Sequence, residues 1–290
     1  MEKIGIITDE AADLTQEIIE KNKIVVVPVK LNWPELDKMS GNNTFQKMRE
    51  LEKNKIESFG KTSQPSVKDF LDRYNFQLER FEKIICITLT SKLSGTYNSA
   101  IQAKSFLKPE DRERVFIVDS LSVSASQALL VLKAVDLVKE GKIVTQIVKD
   151  LEKFISKISF FVIVSDPKWL ETSGRISHIA ANLLRGLLRS GIRPLLALKN
   201  GKLTPAGFKT DARDIPTALF KQFEAKIGKT KNKIRIVITH GDDLKGSQRL
   251  KEMIEVKFKN TEVVFMNNIN NIVGAVCGPD AIVLSWCENN

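Results

Sequence analysis

Ile84-Ile85-Cys86-Ile87-Thr88-Leu89 runs directly into Thr90-Ser91-Lys92-Leu93-Ser94-Gly95-Thr96-Tyr97-Asn98-Ser99-Ala100. The first six residues form a short β-branched run that reads as a strand, and the hydroxyl-rich segment after it opens a helix directed toward Leu107. In open α/β sheets ligands gather beyond the carboxyl end of such a strand, where the first N–H groups of the following helix lack intrahelical partners and favour an anion. Ser94 can donate to a carboxylate or phosphate oxygen, and Gly95 lets the main chain approach closely. Ordinary N-capping by Ser94 explains the same serine.

Outward from this unit the alternation repeats. Ile4–Ile7, Ile24–Val29 and Val115–Val118 read as further strands, separated by helical faces made of Phe45, Met48 and Leu51, and of Val67, Phe70, Leu71, Tyr74 and Leu78. Ser122 to Glu140 is rich in Ala and Leu and closes at Gly141, as a helix C-terminus does. Beyond about residue 158 the pattern changes to strand Phe160–Val164, helix Ile179–Arg189, and apolar runs Pro194–Leu198 and Leu203–Phe208 around Asn200-Gly201, a hairpin signal. Helices near Thr217–Lys226 and Ser247–Phe258 alternate with strands near Ile234–Thr239, Glu262–Met266 and Ala281–Ser285. The expected architecture is an α/β chain with an N-terminal Rossmann-like parallel-sheet domain over 1–158 and a C-terminal α+β domain over 159–290.

Composition narrows the functional classes. The 290 residues include 45 Lys plus Arg against 35 Asp plus Glu, a net charge of +10, with 42% hydrophobic residues. That is globular rather than disordered. Apolar runs stop well short of the roughly 18 residues that cross a bilayer, and the acidic start Met1-Glu2-Lys3 argues against a secretory signal, so the expected location is cytoplasmic and without an integral membrane segment. Cys86, Cys277 and Cys287 form no Cys-x-x-Cys, and His178 and His240 lie far apart, so neither a metal nor a bound cofactor is expected. The one concentrated basic stretch, Lys226-Ile227-Gly228-Lys229-Thr230-Lys231-Asn232-Lys233, lacks the interleaved aromatics of a nucleic-acid module and reads as a solvated loop.

The remaining candidates are weighed by their chemistry. Thr62-Ser63-Gln64-Pro65-Ser66 precedes a helix, and Ser66 with Asp69 has capping-box spacing, which leaves Thr62, Ser63 and Gln64 unexplained. A hydrolase or transferase with Ser94 as nucleophile is one alternative, although Lys92 and Thr96 stand where Gly-x-Ser-x-Gly needs glycines. A basic binder of anions or nucleic acid is another. No Gly-x-x-x-x-Gly-Lys-Ser/Thr occurs, so nucleotide hydrolysis by this chain alone is not indicated. Arg175, beside Gly174, and Arg193, before Pro194, are suited to a bidentate grip on a carboxylate. Asp9 and Asp119 end strands at the ligand edge, where helix capping is the simpler reading.

Taken together, the segments resemble the DegV family along nearly the whole chain. The matching pieces, in the family's order, are Thr8-Asp9-Glu10-Ala11-Ala12-Asp13-Leu14, Val26-Val27-Pro28-Val29, Thr62-Ser63-Gln64-Pro65-Ser66, Ser91-Lys92-Leu93-Ser94-Gly95-Thr96-Tyr97, Val118-Asp119-Ser120, Gly174-Arg175-Ile176 and Ile192-Arg193-Pro194-Leu195. The resemblance implies a two-domain lipid-binding protein, not an enzyme in itself, that encloses one long-chain, palmitate-like fatty acid in a buried tunnel between its domains. It also implies presentation of the lipid to a separate ATP-dependent fatty acid kinase subunit. By the resemblance, Thr62 and Ser94 bind the carboxylate, with Ser63, Gly95 and Arg175 in the supporting head-group region. Phe160, Phe161, Leu183, Leu187, Leu188 and Ile192 are candidates for the apolar lining, although core packing is the simpler reading for any one of them. The chain departs from the family at Val276 and Asp280, where His and Gly are usual, at Glu10 in place of serine, and at Lys209 in place of arginine.

Overall fold

The computed structural model describes residues 2–212, 214–228 and 230–289. The chain opens with β1 (Ile4–Asp9), a 3₁₀ turn (Glu10–Ala12), α1 (Gln16–Lys21) and β2 (Val25–Val27), followed by β3 (Lys30–Asn32), α2 (Pro34–Asp37), α3 (Thr44–Lys53) and β4 (Lys61–Ser63). Next come α4 (Val67–Leu78), β5 (Lys83–Thr88), α5 (Thr96–Ser105), α6 (Pro109–Arg112), β6 (Val115–Asp119), α7 (Ser124–Lys139) and α8 (Val144–Ile155). The remainder runs β7 (Ser159–Ile163), α9 (Lys168–Thr172), α10 (His178–Arg189), β8 (Arg193–Lys199), β9 (Lys202–Lys209) and α11 (Ile215–Ile227). It ends with β10 (Lys233–His240), α12 (Leu244–Lys257), β11 (Thr261–Asn268), α13 (Asn271–Cys277) and β12 (Ile282–Asn289).

Two compact units result. The first comprises Met1–Lys30, Ser63–Ser159 and Asn200–Lys202, and the second Leu31–Thr62, Phe160–Lys199 and Leu203–Asn290. A single cut at 158 would leave residues 31–62 in the first domain, whereas they cluster with the second unit. The reason is apolar: on α3, Phe45, Met48 and Leu51 are fully buried, and the Phe45 ring lies so close to Gly274 of α13 that a Cβ there would sit 2.6 Å from it.

In the first unit four parallel strands lie in the order β2-β1-β5-β6. Every residue of β1 is buried, as expected of a parallel sheet covered on both faces. On one face Ile7, Val27, Ile84, Cys86 and Val115 pack against Phe70 and Tyr74 of α4 and Ala100 and Ala103 of α5. The Tyr74 hydroxyl donates to the Ala100 carbonyl at 3.2 Å, which satisfies it within the apolar layer. α7 and α8 cover the opposite face. α7 is buried on almost every side from Ser124 to Leu132, so its Ala- and Leu-rich composition is that of a helix enclosed by its neighbours. α8, which the sequence reading did not separate out, buries Val144, Ile147, Leu151 and Phe154 on one stripe.

In the second unit a mixed six-stranded sheet has the order β11-β10-β12-β7-β8-β9. Its core joins Phe161, Ile236, Ile238, Leu284 and Trp286 to Ala218, Leu219 and Phe223 of α11 and Leu250 and Ile254 of α12. Phe223 meets Trp286 edge-on with centroids 5.0 Å apart, and Phe161 stacks on the same indole at 5.5 Å. The β8–β9 turn carries positive φ at Asn200 (50°) and Gly201 (77°), as its sequence requires. The basic stretch, expected as a loop, takes in the last turn of α11 and the first residue of β10, and it is exposed at Lys226, Lys231 and Lys233, while Lys229 lies outside the described residues. No helix among the described residues is long and apolar enough to cross a membrane.

Several boundaries differ from the sequence reading: the strand near Ala281–Ser285 runs on to Asn289 and the helix near Ser247–Phe258 begins at Leu244, and three further differences have local causes. The strand expected over Ile24–Val29 is reduced to Val25–Val27, because Pro28 has no N–H for the ladder and Val29 N–H turns to the Glu10 carboxylate, 2.8 Å away. The helix expected from Ser122 begins at Ser124, after Leu121 and Ser124 adopt positive φ of 46° and 55°. Ser94 is not itself the cap residue of α5; that position belongs to Gly95.

Candidate functional site

The exit of β5 leads into the turn Thr90–Gly95 and then α5. Thr90 N–H donates to the Ser122 carbonyl (2.8 Å) and Leu93 N–H to the Thr90 carbonyl (3.2 Å), while Ser91 N–H reaches the Asp119 carboxylate (3.1 Å) and Lys92 N–H the Thr90 hydroxyl (3.2 Å). Main-chain donors are thereby satisfied up to Leu93. Ser94 is half-buried; its Oγ accepts Thr96 N–H at 3.3 Å and lies 2.9 Å from Thr96 Oγ1. When Thr96 supplies both hydrogens, the Ser94 proton is available to a ligand oxygen. Neither Thr96 atom is a base, so this geometry does not activate Ser94 as a nucleophile.

Gly95 is required by what lies against it. A Cβ there would stand 1.8 Å from Gln64 Oε1, and Gln64 Nε2 donates to the Ser99 hydroxyl at 2.9 Å. Gln64 thus lies across the start of α5, a role its sequence neighbourhood did not single out. Two residues on, Ser66 caps α4 in the expected capping box: Ser66 N–H donates to Asp69 at 2.7 Å, and Asp69 N–H to Ser66 Oγ at 3.2 Å.

In the second unit Thr62, on β4, is joined to Arg175. Arg175 Nη2 donates to Thr62 Oγ1 at 3.3 Å, and Nη1 to the Ser173 carbonyl at 2.5 Å. Burial holds the Arg175 guanidinium below its usual pKa. Thr62, having accepted this bond, keeps its own proton for a further acceptor. Among the expected residues, then, Thr62 and Arg175 come together in one unit and Ser94 and Gly95 in the other, where Ser63 lies exposed on β4.

Asp9 ends β1 with its carboxylate fully buried. It accepts Leu89 N–H (2.7 Å), Ala11 N–H (3.0 Å) and Gln127 Nε2 (3.3 Å). Burial pushes its pKa up to about 6 despite the lowering by these three donors, and nearby Glu10 adds to the rise. Capping, the simpler expectation for Asp9, accounts only for the Ala11 bond. Asp119 likewise receives Ser91 and Leu121 N–H.

The remaining histidines are accounted for locally. His178 starts α10 on the surface, beside Glu171 and Asn182, and His240 is buried at the end of β10, where desolvation lowers its pKa. Among the described residues no three His, Cys, Asp or Glu side chains group as a metal site. Of the residues expected to line an apolar site, Phe161 belongs to the aromatic core under α11 and Leu183 is 63% exposed on α10.

Comparison with known proteins decides the family. The family model described as "Uncharacterised protein, DegV family" matches residues 3–289. The chain belongs to the DegV family. A protein of Thermotoga maritima named "Fatty acid-binding protein" is 28% identical over 295 residues, covering 97% of this chain and 96% of its own. A Thermus thermophilus DegV family protein, whose structure is described as showing fatty acid binding, superposes with a TM-score of 0.84 at 23% identity, covering 99% of this chain and 100% of that one. A DegV family protein of Eubacterium eligens, solved loaded with heptadecanoic acid, gives 0.79 at 20% identity, with 99% and 100% coverage.

Measured against the family's usual pattern, the four departures have definite settings. Glu10 anchors Val29 N–H, and Lys209 ends β9. Val276 is half-buried on α13. Asp280 has φ 62°, a conformation natural to the DegV glycine, and pairs with Arg49 of α3 at 2.6 Å; Arg49 also pairs with Asp242 at 2.6 Å.

Proposed function

We propose that this chain is a cytoplasmic, non-catalytic binder of one long-chain, palmitate-like fatty acid, whose carboxylate is received by the hydroxyls of Thr62 and Ser94 with Ser63, Gly95 and Arg175 in support. The observation that carries the reading is the polarisation of the two hydroxyls. Each accepts a hydrogen bond, Thr62 from Arg175 and Ser94 from Thr96 N–H, and with the Thr96 hydroxyl also donating to Ser94 each has a proton to give. An anion with several acceptor lone pairs matches two such donors, and the fatty acids of the family relatives are anions of that kind. In this reading the alkyl tail enters a buried tunnel.

Magnitudes assign the work. A sixteen-carbon acid has about fourteen methylenes at roughly 0.8 kcal/mol each, so its tail supplies on the order of 10 kcal/mol gross. A hydrogen bond to the charged head contributes about 1.5–3 kcal/mol. The hydroxyls therefore orient the carboxylate while the tail gives the affinity. Organic extraction and mass spectrometry of the purified protein should yield a stoichiometric fatty acid, and Ser94→Ala or Thr62→Ala should each weaken palmitate binding at least about tenfold. Unchanged affinity in both variants would remove these residues from the site.

Presentation of the bound acid to a separate ATP-dependent kinase subunit belongs to the same proposal and rests on the family resemblance. Val276 and Asp280 stand where that resemblance puts head-group residues. The test is whether the loaded chain, ATP and such a subunit yield acyl phosphate. Tight palmitate binding without acyl phosphate would restrict the function to transport.

A further inference from the structure

The turn bearing Ser94 begins from a strand end that is clasped by a carboxylate the lipid site does not use. Asp9 Oδ2 takes Leu89 N–H at 2.7 Å, the last amide before the turn, and Oδ1 takes Ala11 N–H at 3.0 Å and Gln127 Nε2 at 3.3 Å. Both oxygens are thus committed as acceptors in a fully buried position. On the next strand Asp119 takes Ser91 N–H, so two carboxylates flank Thr90.

We propose that Asp9 is a positioning residue whose ionised carboxylate fixes the β5 exit, and through it the Ser94–Gly95 turn, in the anion-receiving arrangement, and that uptake of one proton by Asp9 releases it. The consequence for lipid rests on the proposed function; the clasp itself does not. A proton taken from solvent binds one carboxyl oxygen and sets an O–H donor beside the N–H that this oxygen already receives, weakening it as an acceptor. On Oδ2 it faces Leu89 N–H, donor against donor, and on Oδ1 it faces Ala11 and Gln127 in the same way. Gln127 can answer by turning its amide, because its Oε1 is buried without a hydrogen-bond partner. A proton on Oδ1 is thereby received by Gln127 and leaves Leu89 N–H on Oδ2; the form that opposes Leu89 N–H, and so releases the start of the turn, carries its proton on Oδ2.

The surroundings place this switch in an accessible range. Facing Asp9 are Val27 of β2, Cys86 of β5, Gln127 of α7 and Glu10 of its own turn, with Asp119 one strand further. None of these is a cation. Cys86 is pushed up to about 12 by burial and stays neutral. Desolvation therefore prevails over the three hydrogen bonds and brings proton uptake by Asp9 to about pH 6.

The first measurement is amide hydrogen exchange of the ligand-free full chain between about pH 8 and pH 5, corrected for intrinsic rates. Protection across Leu89–Gly95 should fall as pH drops through about 6. Asp9→Asn should show low protection at every pH. Gln127→Met, which removes a donor that favours the ionised form, should move the fall to higher pH. The second measurement is binding of hexadecyl sulfonate, which stays anionic throughout, so that the ligand contributes no titration. Wild-type affinity should drop about tenfold or more across the same step, and that of Asp9→Asn should be weak and flat. Flat protection in the wild type, or an unmoved midpoint in Gln127→Met, overturns the clasp. An exchange step without binding of sulfonate or palmitate at any pH would leave the clasp standing and refute the lipid reading instead.

Discussion

Replacing Gly95 by alanine tests the packing at the start of α5 most directly. The backbone at Gly95, φ −78° and ψ 5°, suits alanine, so no conformational strain opposes the change. The obstacle is Gln64 Oε1, 1.8 Å from the new methyl position. Gln64 is the exposed, movable end of a flexible side chain and will swing away, which breaks its bond to the Ser99 hydroxyl. That bond is worth roughly 0.5–1.5 kcal/mol, and leaving a buried hydroxyl unpaired costs about 1–3 kcal/mol. Ser99 is only 3% exposed, so water does not readily replace Gln64. The expected loss for Gly95→Ala is therefore about 1–3 kcal/mol. In a Gln64→Ala background the same change should cost below about 0.5 kcal/mol, giving a coupling of about 1–2 kcal/mol in a double-mutant cycle. Urea unfolding of the four proteins at constant m-value measures it. Equal costs of Gly95→Ala in both backgrounds would refute the argument that Gln64 is what demands glycine.

Other perturbations follow from the same structure. Phe223→Ala, at the centre of the aromatic core, should destabilise the protein by about 3–5 kcal/mol in denaturant unfolding. Asp9 is raised from an unfolded value of 3.8 to about 6, so its neutral form favours folding: the contribution is fully present below pH 3.8 and is lost as pH rises through about 6, roughly 3 kcal/mol in all. The difference between wild type and Asp9→Asn, followed by chemical denaturation across that window, should show this slope, and a constant difference would contradict the burial argument. Asp280→Gly removes a half-exposed ion pair to Arg49 but relieves a positive φ, so it should change stability by less than about 1 kcal/mol. Arg49→Ala, which loses both Asp242 and Asp280, should cost more than Asp280→Gly in the same assay.

The strand, turn and helix around Ile84–Ala100 were legible because periodicity and turn chemistry are local. So were the capping box at Ser66 and the Asn200-Gly201 turn, each fixed by side chains within a few residues. What escaped the reading depends on distant partners. Nothing near Thr62 in sequence announces Arg175, 113 residues away, as its donor. Gln64 looked like one more polar loop residue until its amide was seen against Gly95. Asp9 was read as a cap, which it is, but its bond to Leu89 crosses 80 residues. The i, i+3, i+7 stripe of Val144, Ile147 and Leu151 was there to be counted and would have identified α8. Residues 31–62 have apolar faces whose destination their own sequence does not state.

That last segment has a consequence for how the protein is made. Residues 31–62 leave the ribosome about a hundred residues before β7, the first strand of the sheet unit they join. At roughly 5–20 residues per second, Trp33, Phe45, Met48 and Leu51 wait several seconds or more without their partners. The first unit, for its part, is assembled from segments that these residues separate in the chain. The long-range arrangement leaves apolar side chains of the growing chain open to aggregation until their partners arrive, and neither unit can be produced as a fragment by a single truncation at their boundary.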